Sequence, residues 1–123
     1  MRTLFSAFLF TALFVATSAQ AGVMESCRDK EKESDKVRAC VRAERVHSIN
    51  SLHDASLKAQ EAVTQQTRES GRKLSLREYR SMQARHVRER NRTCPKQGGI
   101  EQVACEADMN YAQVDKLARF INQ

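Results

Sequence analysis

Residues 74–94 read LSLREYRSMQARHVRERNRTC, and whether this run is a helix decides the fold. Ser75 followed by Glu78 has the spacing of a capping box, in which each side chain satisfies the other residue's backbone N–H. Leu74 and Tyr79 stand where a hydrophobic staple closes the first turn. A cap of this kind is worth about 1 kcal/mol. Pro95, the one proline in the chain, stops the helix just after Cys94. On a helical wheel Tyr79, Gln83, His86 and Arg90 fall within about 60° of one another, on the side of Leu76 and Met82. They therefore face the other helices, and the inward face of this helix is polar. A guanidinium does not lose its proton, and burying it unpaired is very costly. Arg90 is expected to reach several backbone carbonyls or a carboxylate, with Asp54 and Asp108 the acids at suitable heights. Gln83 and His86 would complete a polar seam that fixes helix register.

Working outward, QGG at 97–99 is a break, and after it Ile100, Val103, Ala107, Tyr111, Val114, Leu117 and Ile121 form a third periodic run. On the other side, TRESGRK at 67–73 has no apolar periodicity and contains Gly71, so it reads as a connection. Before it, Val37, Cys40, Val46, Ile49, Leu52, Ala59 and Val63 recur at helical steps between Asp35 and about Gln66, with a bend expected near HSINS. Three helices with short connections predict an all-α fold, a small antiparallel three-helix bundle stapled by two disulfides.

The chain opens with Met1 and Arg2, then an apolar run, then TSAQA at 17–21. That pattern is a secretory signal peptide, cleaved near Ala21. Residues 22–123 then form a single helical domain, periplasmic or secreted, with no membrane span. The first cysteine, Cys27, follows VMES, so no lipid acceptor sits at the cleavage point. A domain this small has a modest core, and Cys27, Cys40, Cys94 and Cys105 are most simply two disulfides. Along an unbroken helix Cys27 and Cys40 would lie about 20 Å apart, far beyond the roughly 7 Å that a disulfide spans. A local bridge thus needs a loop before Ser34. Cys94 and Cys105 flank the connection between two helices. These considerations favour Cys27–Cys40 and Cys94–Cys105 and leave the other two pairings open.

The net charge of +6 becomes +5 without Arg2, and residues 68–92 alone hold nine arginines and lysines against three glutamates. Arg77, Arg85, Arg88 and Arg92 share one face of the middle helix, opposite Tyr79, Met82 and His86. That face is either solvated or a contact for an acidic partner such as anionic lipid, cell-wall polymer or an acidic protein patch. With Tyr79 the lone aromatic on this helix, stacking on nucleic acid has little support.

Catalytic signatures are missing. His47 and His53 lie on different helix faces and His86 stands apart, so no metal-ligand pattern emerges. The cysteines do not form C-x-x-C, and no nucleophile sits beside a placed base. A non-enzymatic binding protein without cofactor or metal is the expectation.

The run YRSMQARHVRERNRTC resembles the stretch Leu-x-x-x-Gln-x-x-Trp-x-x-x-Arg-Asp-x-x-Cys of LprI-type lysozyme inhibitors. Gln83, Arg90 and Cys94 match, His86 stands for Trp, and Asn91 stands for Asp. Past Cys105 the family tends to carry Thr, Arg and Leu where this chain has Asn110, Gln113 and Leu117. The early pair Cys27 and Cys40, followed by a long helix, is also similar. The resemblance implies an exported helical domain whose motif residues are Gln83, His86, Arg90 and Asn91, and a protein partner such as a lysozyme. Many lysozymes are strongly basic, so a basic belt slows encounter, and inhibition requires an acidic face elsewhere. A second resemblance, of LSLREYRSM at 74–82 to the Leu-Thr-x-x-Gln helix start of Spy-type periplasmic chaperones, covers one helix start and has Glu78 in place of Gln. An immunity protein against a periplasmic toxin is a further alternative, with no motif to mark it.

Overall fold

The computed structural model describes residues 22–68 and 74–123; the segment expected to be a signal peptide and the core of the 67–73 connection lie outside the described residues. The described residues are helical with no strand: α1 Val23–Lys30, α2 Ser34–Arg68, α3 Leu76–Thr93 and α4 Gly99–Ile121. A short 3₁₀ turn, Cys94–Lys96, joins the last two.

The described residues form four helices where periodicity indicates three. The extra one, α1, has eight residues, VMESCRDK, too short and too charged to announce itself. Its helicity depends on tertiary partners. Val23 N–H donates to Asp108 Oδ1 on α4 at 2.8 Å, and Cys27 is bonded to Cys40 with Cα atoms 5.8 Å apart. The loop needed before Ser34 is only residues 31–33. The second bridge, Cys94–Cys105, spans the turn between α3 and α4 with a Cα separation of 5.5 Å. Both local pairings are therefore present, and no cysteine among the described residues is free.

The start of α3 follows its local sequence. Ser75 accepts from the Glu78 backbone N–H at 3.3 Å, and Leu74 is buried with Tyr79 packed against its cluster. At the start of α4, Gly98 and Gly99 hold φ of 68° and 54°, a left-handed stretch that lets the chain reverse after the 3₁₀ turn. The long α2 continues without interruption through HSINS.

Packing concentrates at the two ends. Val23, Cys27, Val41, Ala104 and Ala107 form one cluster, beneath α1. Val63, Leu74 and Phe120 form the other. Climbing α2 from Val41 through Ser48 to Val63, its neighbours on α4 climb too, from Ala104 through Asn110 to Phe120. Its neighbours on α3 descend: Ser48 lies at the level of His86 through Asn110, Ser56 meets Gln83 and Tyr79, and Val63 meets Leu74. Between the clusters the buried residues include Ser48, His86, Asn110 and Gln113, all polar.

Two residues expected in the α2 core, Val46 and Ile49, are 59% and 46% exposed. The buried arc of α2 runs through Val41, Ser48, Ala59 and Val63. Ile49 and Val46 lie about 40° and 100° beyond the edge of that arc on a helix of 3.6 residues per turn. A small polar residue, Ser48, occupies the inward position instead, because α4 approaches α2 closely there and presents an amide.

Candidate functional site

Three groups of side chains stand out, and the first is the polar network between α2, α3 and α4. Its α3 members, Tyr79, Gln83, His86 and Arg90, recur at alternating steps of four and three, as the wheel requires. The matching stripe on α4 is Ala104, Ala107, Asn110, Gln113, Leu117 and Phe120, buried throughout. Two polar residues interrupt that apolar stripe where α3 interrupts its own.

The hydrogen bonds run in one consistent direction. Ser48 Oγ–H donates to the Arg45 carbonyl at 2.7 Å, leaving its oxygen to accept from Asn110 Nδ2 at 3.1 Å. Asn110 Oδ1 then faces His86 Nε2 at 3.2 Å and Arg90 Nη1 at 3.4 Å. Because that oxygen only accepts, His86 must carry its proton on Nε2. Burial of the ring holds its pKa below the usual 6.5, outweighing the Asn110 hydrogen bond, so His86 is neutral at pH 7. One layer away, Gln113 Nε2 donates to Gln83 Oε1 at 2.9 Å, and Gln83 Nε2 donates to Ser56 Oγ at 2.8 Å. Tyr79 Oη–H reaches the Ser56 carbonyl at 3.2 Å.

Gln83 and His86 thus join the seam as expected. Arg90 joins it without the expected carboxylate. It is half-buried, and among the described residues it meets only amide oxygens, those of Asn91 and Asn110, at 3.4 Å. Asp108 is occupied at the start of α1, and Asp54 is exposed. The guanidinium stays at the edge, where water solvates the charge and no buried counter-ion is needed. Asn91 is exposed, and its Oδ1 accepts from the Arg90 guanidinium. Ser48 and Ser56 were not indicated by sequence. Their spacing of eight on one α2 face, opposite polar interruptions on α3 and α4, was the available signal.

The second group is the arginine face. Arg77, Arg85, Arg88 and Arg92 are all exposed, on the outer side of α3.

A third group lies on the far side of α4. Asp108, Tyr111 and Asp115 project about opposite Gln113 and Leu117 on the helical wheel. With Glu44 of α2 and the start of α1 they line a groove of about 770 Å³. A Cβ on Gly22 would come within 3.1 Å of Asp108 Oδ2, so the chain enters α1 tight against this carboxylate. Tyr111 Oη–H donates to Glu44 Oε2 at 2.6 Å, and its oxygen lies 2.7 Å from His47 Nδ1. Burial and the Glu44 carboxylate push the Tyr111 phenol pKa well up, so it remains a donor. On the other flank of α4, Arg45 and Glu106 form an ion pair at 2.9 Å between α2 and α4. Among the described residues no three His, Cys, Asp or Glu side chains converge as a metal-ligand set.

The network has the character of a structural register. The acidic groove and the arginine face are accessible and opposite in sign, which suits them to protein contacts. Compared with protein-family models, curated proteins and solved structures, the chain matches none.

Proposed function

We propose that this chain is an exported, non-enzymatic binding protein of the bacterial envelope, acting in the manner of LprI-type lysozyme inhibitors. We read α2, α3 and α4 as an antiparallel up-down-up bundle, with α1 clipped across the α2–α4 side by its disulfide. The observation that carries the reading is the separation of charge. Glu44, Asp108 and Asp115 gather in one groove, while the arginines lie on α3, which does not border it. A basic lysozyme approaching the groove meets complementary potential, and the repelling arginines face away. Two disulfides, and the lack of any described helix long and apolar enough to cross a membrane, support export into an oxidising compartment. Cell-wall lysis by a basic lysozyme should slow in the presence of the protein. Asp115→Lys should weaken that inhibition, while reversing Arg77, Arg85 and Arg88 together should leave it intact or strengthen it. No inhibition by the wild-type protein sinks the reading.

One observation favours the chaperone alternative. Val46, Ile49 and Leu57 of α2 and Leu76 and Val87 of α3 are exposed apolar side chains on neighbouring helices. Suppression of client aggregation, lost on substituting Leu57 and Val87 by Ser, would select that reading. If the arginine face takes an acidic envelope component, the triple reversal should abolish salt-sensitive binding to anionic cell-wall polymer.

A further inference from the structure

We infer that the cleft between α2 and α3 is a binding site for an alkyl carboxylate, with the anionic end on Arg90 and the chain against Ile49, Leu52 and Val87. The cleft has a volume of about 250 Å³, with His53, Ser56, Gln83, His86 and Asn110 completing its walls. No carboxylate lines it, in contrast to the groove beyond α4.

The buried and half-buried neutral polar groups of its walls are already engaged with one another or with adjoining residues. Both ends of the Gln83 amide are bonded, to Gln113 and to Ser56. Both ends of the Asn110 amide are bonded as well, to Ser48 and to His86. Arg90 and the exposed ring of His53 are the polar groups with capacity to spare, and of the two the guanidinium is the permanent cation. A guanidinium has five N–H donors in a fork that matches a carboxylate. Those of Arg90 meet only amide oxygens at 3.4 Å, near the limit of a hydrogen bond, and the residue has no ion pair among the described residues. A permanent cation at the edge of an apolar cleft favours an anion that can desolvate along with the walls.

The walls specify the rest of the ligand. Ile49 and Val87 are 46% and 44% exposed, and together with Leu52 they offer apolar surface that a chain would cover. The volume equals that of about eight waters, which suits a chain of about eight carbons. A single cation matches a monoanion and would leave a phosphate monoester undercompensated. None of this depends on lysozyme binding.

The test is a methyl NMR titration of the protein, both disulfides intact, with octanoate, octan-1-ol and octylamine. Octanoate should shift the Ile49, Leu52 and Val87 methyls and bind about tenfold tighter than octanol, the step expected from one charge-assisted hydrogen-bonded pair. Octylamine should bind weakest. Arg90→Gln should erase the preference for octanoate over octanol, while Arg88→Gln, on the exposed face, should preserve it. Should Arg90→Gln fail to fold, Val87→Glu, at an exposed position, places an anion in the cleft and should cut octanoate binding about tenfold with melting unchanged. Equal binding of octanol and octanoate, or octanoate affinity surviving Val87→Glu, would overturn the assignment.

Discussion

Asn110→Ala removes the hub through which α2, α3 and α4 meet. Its side chain is 1% exposed and holds Ser48, His86 and Arg90 at once. Truncation strands the His86 Nε2–H in a buried site, a loss of about 1–3 kcal/mol. Ser48 keeps its bond to the Arg45 carbonyl but loses a donor, about another 1 kcal/mol. The sum is about 2–4 kcal/mol, which for a domain near 100 residues corresponds to a fall in Tm of about 10–25 °C. Arg90→Met provides the contrast. A buried ion pair there would make that substitution cost about 3–5 kcal/mol. The half-buried guanidinium with only long bonds to amide oxygens implies less than about 1 kcal/mol, since methionine retains most of the stem's packing. Thermal and urea unfolding followed by circular dichroism measure both variants against wild type. If Asn110→Ala melts like wild type, or Arg90→Met is the more damaging of the two, the energetic ranking of the network is wrong. A Ser48→Ala/Asn110→Ala cycle should in addition show coupling of about 0.5–3 kcal/mol.

Acidification tests His86 separately. Its folded pKa lies below the usual 6.5, so below that pH the unfolded chain binds more protons than the folded one. The neutral ring's stabilising share is therefore complete above pH 6.5 and is lost as pH falls from there towards the folded pKa. His86→Gln should flatten this part of the stability–pH curve, measured by urea midpoints, and an unchanged slope would contradict the burial of the ring. Replacing Cys94 and Cys105 together by Ala should cost about 3 kcal/mol on the chain-entropy estimate, with near-wild-type dichroism in dilute buffer. Ser75→Ala should cost about 1 kcal/mol through its helix cap, and Ser75→Asp should recover most of it.

What the sequence determined by itself about this protein is local. The cap at Ser75, the stop at Pro95, the reversal at Gly98 and Gly99, the three long periodic runs and the two short-range disulfides all depend on residues close together in the chain. Propensity, capping and loop closure act over such separations, so they are legible before any tertiary contact exists. Gln83 and His86 could be placed on the inner face for the same reason, since a helix's own period orders its faces.

The partners of those faces were decided only by tertiary structure. The wheel shows that Arg90 points inward, but how far the neighbouring helices close over it depends on the spacing of α2, α3 and α4, and that left it at the edge with no acid partner among the described residues. Asp108 was drawn to the start of α1, a residue 85 positions away in sequence. The same contact made a helix of eight residues that its own sequence would not sustain. The acidic groove likewise joins Glu44 to Asp108 and Asp115, whose proximity no local pattern encodes. Side-chain pairing across helices depends on their relative height and separation, and those are set when two apolar ends and two amides, Asn110 and Gln113, are buried together.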